Sequence, residues 1–259
     1  DLAEVLRVNG ISARAYHAGM DAEQRSANQD AFLMEECQVI VATIAFGMGI
    51  DKPDVRFVVH YNVPKSLEGY YQETGRAGRD GGEGQCICFY SPDDIERLRK
   101  FQKDKPVKEI EIGNQLLFET QSYAESIVCR RKLLLHYFGE EYDKDNCGNC
   151  DNCRKTYRME DCSELLGLVL ETIQQVNEKF KAEHIVDILH GNETAAVLSY
   201  KHKELENFGA ASDVDEAVLL AIVRQAMLSG YLSKDIESYG DLKITADGRK
   251  YMKRGGRFE

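Results

Sequence analysis

The chain of 259 residues has no run approaching eighteen apolar residues, which excludes a membrane-spanning helix. Its first residues, DLAEVLRVNG, have neither the basic region nor the apolar core of a secretory signal. They read instead like a helix entered part-way along, the expectation for a piece of a longer protein. A basic block is missing too. Net charge is −11, and every part is acidic: 11 basic against 16 acidic residues over 1–100, 10 against 12 over 101–163, and 12 against 16 over 164–259. Charge alone therefore argues against a nucleic-acid binder, and any such function must rest on local geometry. No internal repeat and no low-complexity tract is present.

What is present suffices for two or three small domains, with 43% hydrophobic and 30% charged side chains. Over residues 1–100, short Val- and Ile-rich runs at Gln38–Thr43, Arg56–His60 and Gln85–Tyr90 read as buried strands. Helical patterns lie between them at Asp21–Met34 and Ser66–Arg76, with Ser66 placed as an N-cap. This alternation predicts an α/β domain with a parallel sheet. In such sheets ligands gather where the strands' carboxyl ends open into loops, and Thr43–Lys52 and Gly75–Gly84 are expected there. Residues 101–163 form a second region, a helix from about Gly113 to Tyr137 followed by a cysteine cluster. Residues 164–259 form a third, with helices near Glu164–Asn177, Ala182–His190 and Asp213–Ser229. Asp213 and Glu216 have capping-box spacing, and strands at Tyr231–Ile236 and Asp241–Thr245 flank Tyr239–Gly240. Three helices and a hairpin predict an α+β winged helix.

Of eight cysteines, Cys147, Cys150 and Cys153 fall within seven residues as C-G-N-C-D-N-C, and Cys129 precedes them late in a helical pattern. Three thiols two residues apart can converge across a tight turn, and a fourth from the helix completes a tetrahedral sulfur site suited to structural Zn²⁺. A redox Cys-x-x-Cys pair or idle thiols are the alternatives. Arg130 and Arg131 adjoin the helical ligand and could offset the thiolate charge. Cys37, Cys86, Cys88 and Cys162 read most simply as buried small apolar residues.

The segment Gln72–Gly81, Q-E-T-G-R-A-G-R-D-G, ends a helix and opens a loop. Arg76 and Arg79, three apart with Gly75 and Gly78 beside them, form a phosphate-binding arrangement. The same residues also fit a helix end with solvated arginines.

Together with A-T-I-A-F-G-M-G-I-D-K-P, this segment closely resembles the second motor lobe of RecQ-family DNA helicases. Y-H-A-G-M at Tyr16–Met20 is similar to an earlier motif of that lobe. C-R-R at Cys129, Y-F-G-E at Tyr137 and C-G-N-C-D-N-C are similar to the family's zinc subdomain, and a winged helix follows in the family as here. The resemblance covers almost the whole chain. It implies a RecA-like lobe over 1–100, lacking its first strand, a helical zinc-binding subdomain over 101–163 and a winged-helix domain over 164–259.

The resemblance further implies that Arg79 is an arginine finger reaching ATP across lobes, that Arg76 is a supporting phosphate contact and that Gln72 belongs to the coupling motif. Gly47, Gly49 and Asp51 would link nucleotide state to the DNA track. Tyr16, His17, Gly19 and Thr43 would contact single-strand phosphates. The sequence has no G-x-x-x-x-G-K-S/T phosphate loop and no D-E-x-H motif. The chain by itself should therefore not hydrolyse ATP, whose binding with Mg²⁺ needs the other lobe. The parent would be an ATP-dependent 3′–5′ helicase, a monomer acting on single-strand/duplex junctions, cytoplasmic on the bacterial nucleoid or nuclear in a eukaryote. A stand-alone zinc-stabilised winged-helix regulator is the competing reading, and the arginine pair argues against it.

In the winged helix, Lys201 and Lys203 are candidate DNA contacts, with Lys179 and Lys181 nearby. The polar face of Asp213–Ser229 offers only Arg224 and Gln225, and Arg249, Lys250, Lys253, Arg254 and Arg257 make the densest basic cluster. Tyr239 is a possible wing tip.

Overall fold

A computed structural model describes every residue except Asp1, 44–51, Asp145, Ile236, Glu237 and Tyr239. The chain divides into two compact units, Asp1–Asn62 with Glu68–Phe89, and Val63–Leu67 with Tyr90–Glu259.

The first unit is α/β. Helix α1 (Leu2–Val8) leads into β1 (Ala13–Tyr16), α2 (Ala22–Leu33) and β2 (Val39–Ala42). Asp21 caps α2 by accepting from the Gln24 amide at 2.7 Å. Strands β1 and β2 pair in parallel, from Ala13 opposite Val39 to Tyr16 opposite Ala42. Then β3 (Phe57–His60), α3 (Leu67–Thr74) and β4 (Gln85–Cys88) form a second parallel pair, with Phe57 opposite Gln85. Each pair is joined through a helix, as a parallel connection requires. Strand β1 was not expected, because Ala-Arg-Ala-Tyr offers little apolar alternation.

The crossover corrects one expectation. Gly75–Gly84 follows α3 and precedes β4, so it lies at the amino ends of β3 and β4 rather than at their carboxyl ends. A crossover helix returns the chain to the edge where the next strand begins. Backbone bonds fix the placement: Gly78 N–H donates to Val55 O at 2.9 Å, Asp80 N–H to Pro53 O at 3.1 Å and Gln85 N–H to Arg56 O at 2.8 Å.

The second unit begins with α4 (Pro92–Lys100), capped by Ser91 with proline at its start, a position where the missing N–H costs nothing. The single helix expected over 113–137 is two, α5 (Val107–Glu125) and α6 (Arg130–Tyr137). Ser126 turns extended (φ −68°, ψ 145°), and Cys129 stands at the cap of α6, not late in a long helix. Apolar residues continue across the break, with Ile127 and Val128 between the two helices, so periodicity alone does not see it.

The remainder packs α7 (Ser163–Gln175), α8 (Ala182–His190), α9 (Ala195–Ser199), a short 3-10 turn (His202–Glu204), α10 (Glu216–Leu228), the antiparallel hairpin β5 (Leu232–Asp235) and β6 (Asp241–Ile244), and α11 (Ala246–Arg254). Leu166 and Ile173 of α7, Ile188 of α8, Leu219 and Val223 of α10 and Leu242 of β6 meet in one core. Helix α10 starts later than the capping-box spacing implied: Asp215, not Asp213, caps it by accepting from the Ala217 amide at 2.7 Å. Helices with a two-stranded wing make this the winged helix that the pattern predicted.

Candidate functional site

The four thiols separated by up to 24 positions converge. The Sγ atoms of Cys129, Cys147, Cys150 and Cys153 all lie within 4.8 Å of one another, and Cys147 and Cys153 are 3.9 Å apart. Zn–S bonds of about 2.3 Å in a tetrahedron give sulfur–sulfur edges of about 3.8 Å. The residues fit Zn²⁺ in a closed structural site.

Backbone amides support the sulfurs. Cys150 N–H points to Cys147 Sγ at 3.3 Å, and Cys153 and Arg130 N–H to Cys150 Sγ, each at 3.4 Å. Burial alone would raise the Cys147 thiol, but amide donation from Asn149 and Cys150 and hydrogen bonds from Cys129 and Cys150 hold it at about 6. Desolvation pushes Cys153 up to about 12, with further raising by its thiol neighbours. Cys147 and Cys153 thus carry charge unequally, and a divalent ion between the sulfurs would relieve the repulsion of adjacent thiolates.

Two residues, of which the sequence pattern singles out only Arg130, tie this loop to α5 and α6. Asn152, 5% exposed, donates to Ser126 O at 2.7 Å and Val128 O at 2.8 Å, and accepts from Tyr157 Oη at 2.9 Å. Arg130 makes a fork to Asp151, both bonds 3.1 Å, donates to the carbonyls of Tyr123 and Ala124, and lies over the Tyr123 ring. Arg130 was foreseen as charge compensation. Its main contacts are mechanical: it knots the ligand loop to the end of α5.

In the α/β unit, Gln72 lies on the exposed side of α3, and Arg76 and Arg79 follow in the turn beyond its end. Arg79 Nε donates to Gly75 O at 3.1 Å. Gly78 has φ +68°, and a Cβ there would meet Gly82 O at 2.4 Å, so only glycine fits. Asp80 accepts from Arg56 at 2.9 Å, with a second bond to the same guanidinium, and from Gly82 N–H at 2.9 Å. The Arg56 guanidinium, aided by that amide, holds the Asp80 carboxyl well below the usual carboxylate range. His60, 8% exposed, contacts Glu73 at 2.6 Å, tying the end of β3 to α3.

Tyr16 ends β1, and Thr43 N–H donates to its carbonyl at 3.2 Å just past β2. His17 and Gly19 occupy the adjoining turn, closed by Met20 N–H to His17 O at 3.1 Å. These four candidates are therefore brought together at the carboxyl edge of β1 and β2. Gly47, Gly49, Asp51 and Tyr239 lie outside the described residues.

The winged-helix candidates are more engaged than the sequence suggested. Lys203 contacts Glu193 at 2.6 Å, while Lys201 is exposed in a left-handed conformation, φ 58°. Arg224 faces α5 rather than solvent and pairs with Glu125 at 3.4 Å. Lys234 pairs with Glu119 and lies 4.6 Å from the Phe118 ring centre. In the basic tail, Arg249 is 2.6 Å from Glu178 and Lys250 is 2.7 Å from Asp247. Among the remaining cysteines Cys37 is buried, but Cys86 and Cys88 are exposed, because all of β4 is exposed. Among the described residues no helix is long and apolar enough to cross a membrane.

Three family models match in succession: the helicase conserved C-terminal domain over residues 1–81, RecQ zinc-binding over 92–154 and the RQC domain over 156–259. The chain is 37% identical over 255 residues to the ATP-dependent DNA helicase RecQ of Pasteurella multocida, covering 98% of the chain and 40% of that protein. Its identity to the ATP-dependent DNA helicase RecQ of Haemophilus influenzae is 37% over 254 residues, with 97% and 41% covered. To the ATP-dependent helicase SGS1 of Saccharomyces cerevisiae it is 40% over 219 residues, with 81% and 15% covered. The chain spans about two fifths of the length of the two bacterial relatives. With its parallel-stranded helicase lobe, four-cysteine zinc site and winged-helix RQC domain in this order, the chain belongs to the RecQ family.

Proposed function

We propose that this chain is the C-terminal part of a 3′–5′ DNA helicase, in which it supplies an arginine finger, a DNA-tracking edge and a duplex-binding winged helix. The arrangement carrying this reading is the division of the α/β unit into two edges. Arg76 and Arg79 stand on a pinned loop at the amino ends of β3 and β4, whereas Tyr16, His17, Gly19 and Thr43 gather at the carboxyl edge of β1 and β2. One set suits a nucleotide and the other a phosphate backbone. Arg79 is the finger, Arg76 its supporting phosphate contact and Gln72 the coupling residue, with Gly47, Gly49 and Asp51 completing the link to the track.

ATP and Mg²⁺ would be held by a lobe carrying the phosphate-loop motif that this sequence lacks. Mg²⁺ held in that lobe would supply positive charge that offsets the charge developing on the transferring phosphoryl group. Arg79 adds a second positive group to the transferring phosphoryl, worth about 10³–10⁵ in rate for fingers of this kind. The chain alone therefore binds ATP poorly and hydrolyses none. DNA contacts along the tracking edge are to backbone and so are indifferent to sequence and sensitive to salt. Lys201 and Lys203 contribute duplex phosphate contacts, Lys203 by exchanging Glu193 for phosphate. The protein works as a monomer wherever its DNA is, the bacterial nucleoid or the nucleus.

The test is ATP turnover and strand separation by the full-length protein on duplexes with a 3′ or a 5′ tail. Arg79→Ala should lower turnover by about 10³-fold or more, to a small residual rate, while DNA affinity is kept, and wild type should open the 3′-tailed duplex. Normal turnover in the variant would sink the finger assignment, and preference for the 5′ tail would reverse the direction.

A further inference from the structure

The loop that carries Arg79 is attached on both sides of that residue to the segment entering β3. Gly78 N–H donates to Val55 O, and Asp80 N–H to Pro53 O. The side chains add a clamp in the same place, since the Asp80 carboxylate takes both arms of the Arg56 guanidinium and the Gly82 amide. Gln85 N–H then returns to Arg56 O, so Arg56 is held from its backbone as well. A two-armed Arg–carboxylate contact fixes angle as well as distance, which a lysine or a single bond would not do.

Neither residue suits a phosphate-binding role itself. Arg56 is neutralised by Asp80, and Asp80 would repel a phosphate. Their side chains are also too exposed, at 48% and 32%, for the pair to matter much as bulk stability, because exposed ion pairs contribute little. What the pair does specify is the direction in which the chain leaves Gly78, and hence where Arg79 starts.

We infer that Arg56 and Asp80 are positioning residues that hold the Arg79 loop in its working geometry. The inference rests on the reading of Arg79 as a finger. A displacement of about 1 Å at a catalytic group can cost on the order of 10²-fold in rate, so a loosened clamp acts on turnover without touching the nucleotide.

The experiment is a double-mutant cycle in the full-length protein, reading DNA-stimulated ATP turnover, KM for ATP and DNA affinity. Asp80→Asn keeps an acceptor for Gly82 but loses the charge, and Arg56→Lys keeps the charge but loses the fork. Each should lower kcat about 10- to 100-fold, with KM and DNA affinity within about twofold. Placed in an Arg79→Ala background, neither should lower the residual rate further, because their effect passes through Arg79. Asp80→Glu, which restores a carboxylate, should recover part of the rate. Unchanged kcat in folded Asp80→Asn and Arg56→Lys proteins would overturn the clamp. So would losses that multiply with that of Arg79→Ala, since these would mark a general structural role. If Arg79→Ala itself turns over normally, the finger reading fails, an outcome distinct from failure of the clamp alone. Melting temperatures of all variants exclude unfolding as the cause, and Arg56→Lys, the least disruptive, carries the test if Asp80→Asn melts early.

Discussion

Asn152 is the residue on which the zinc loop turns, although it binds no metal. Replacing it by alanine leaves the Ser126 and Val128 carbonyls without their buried donor, a loss of about 2–3 kcal/mol. Asn152→Ala should therefore melt earlier yet still hold one zinc per chain by metal analysis. Cys150→Ser should lose the metal itself, because a structural zinc thiolate contributes folding free energy directly. A Cys150→Ser protein with full zinc and unchanged melting would refute the site. The ligands were legible in the sequence because cysteine spacing carries its own chemistry. Asn152 was not, because a loop asparagine has no periodicity and its two partners lie 24 and 26 positions away.

A second residue-scale consequence concerns His184 and His202, whose ring nitrogens meet at 2.8 Å beside Phe180 and Tyr200. Burial lowers both, and His202 lowers His184 further. A histidine with a depressed folded value favours the neutral form. Its contribution is therefore complete above the ordinary value of 6.5 and fades as pH falls from there towards the folded value. Melting temperature should drop between about pH 7 and pH 5, and His202→Asn should flatten that slope. An unchanged slope in the variant would place the pH dependence elsewhere.

At the scale of elements, most strands and helices were readable because each has a clear period, and α8 begins and ends where its pattern does. Two of the failures share a cause: the α5–α6 break and the position of Gly75–Gly84 are fixed by bonds to distant residues, not by local pattern. The cap of α10 is instead a local choice between two aspartates two positions apart. Gly78 gives a sharp contrast with Gly81. Both have left-handed φ, +68° and +83°, but only at Gly78 does an added Cβ strike backbone, Gly82 O at 2.4 Å. Gly81→Ala should cost about 1–2 kcal/mol, the conformational term alone. Gly78→Ala should cost clearly more and also displace the arginine loop. Denaturant unfolding of the two variants checks this, and equal losses would show that the close approach does not matter.

For the whole molecule, the chain's charge of −11 sets the terms on which, under the proposed function, it would meet DNA. A net acidic protein holding phosphates through a few local cations should bind a tailed duplex weakly and lose about tenfold or more between 50 and 200 mM salt. Fluorescence anisotropy without ATP measures this, and salt-independent binding would argue against backbone contacts. A different electrostatic system holds α5 to the winged helix, where Glu119 and Glu125 face Lys234 and Arg224 with side chains 12–28% exposed. Pairs so sheltered are screened far less than charges on an open surface. Burial, not sign, thus separates the two uses of charge. On the proposed reading, ionic strength that strips the protein from DNA would leave this joint closed, and the zinc and winged-helix elements would leave the duplex as one piece, ready to return to it in the same orientation.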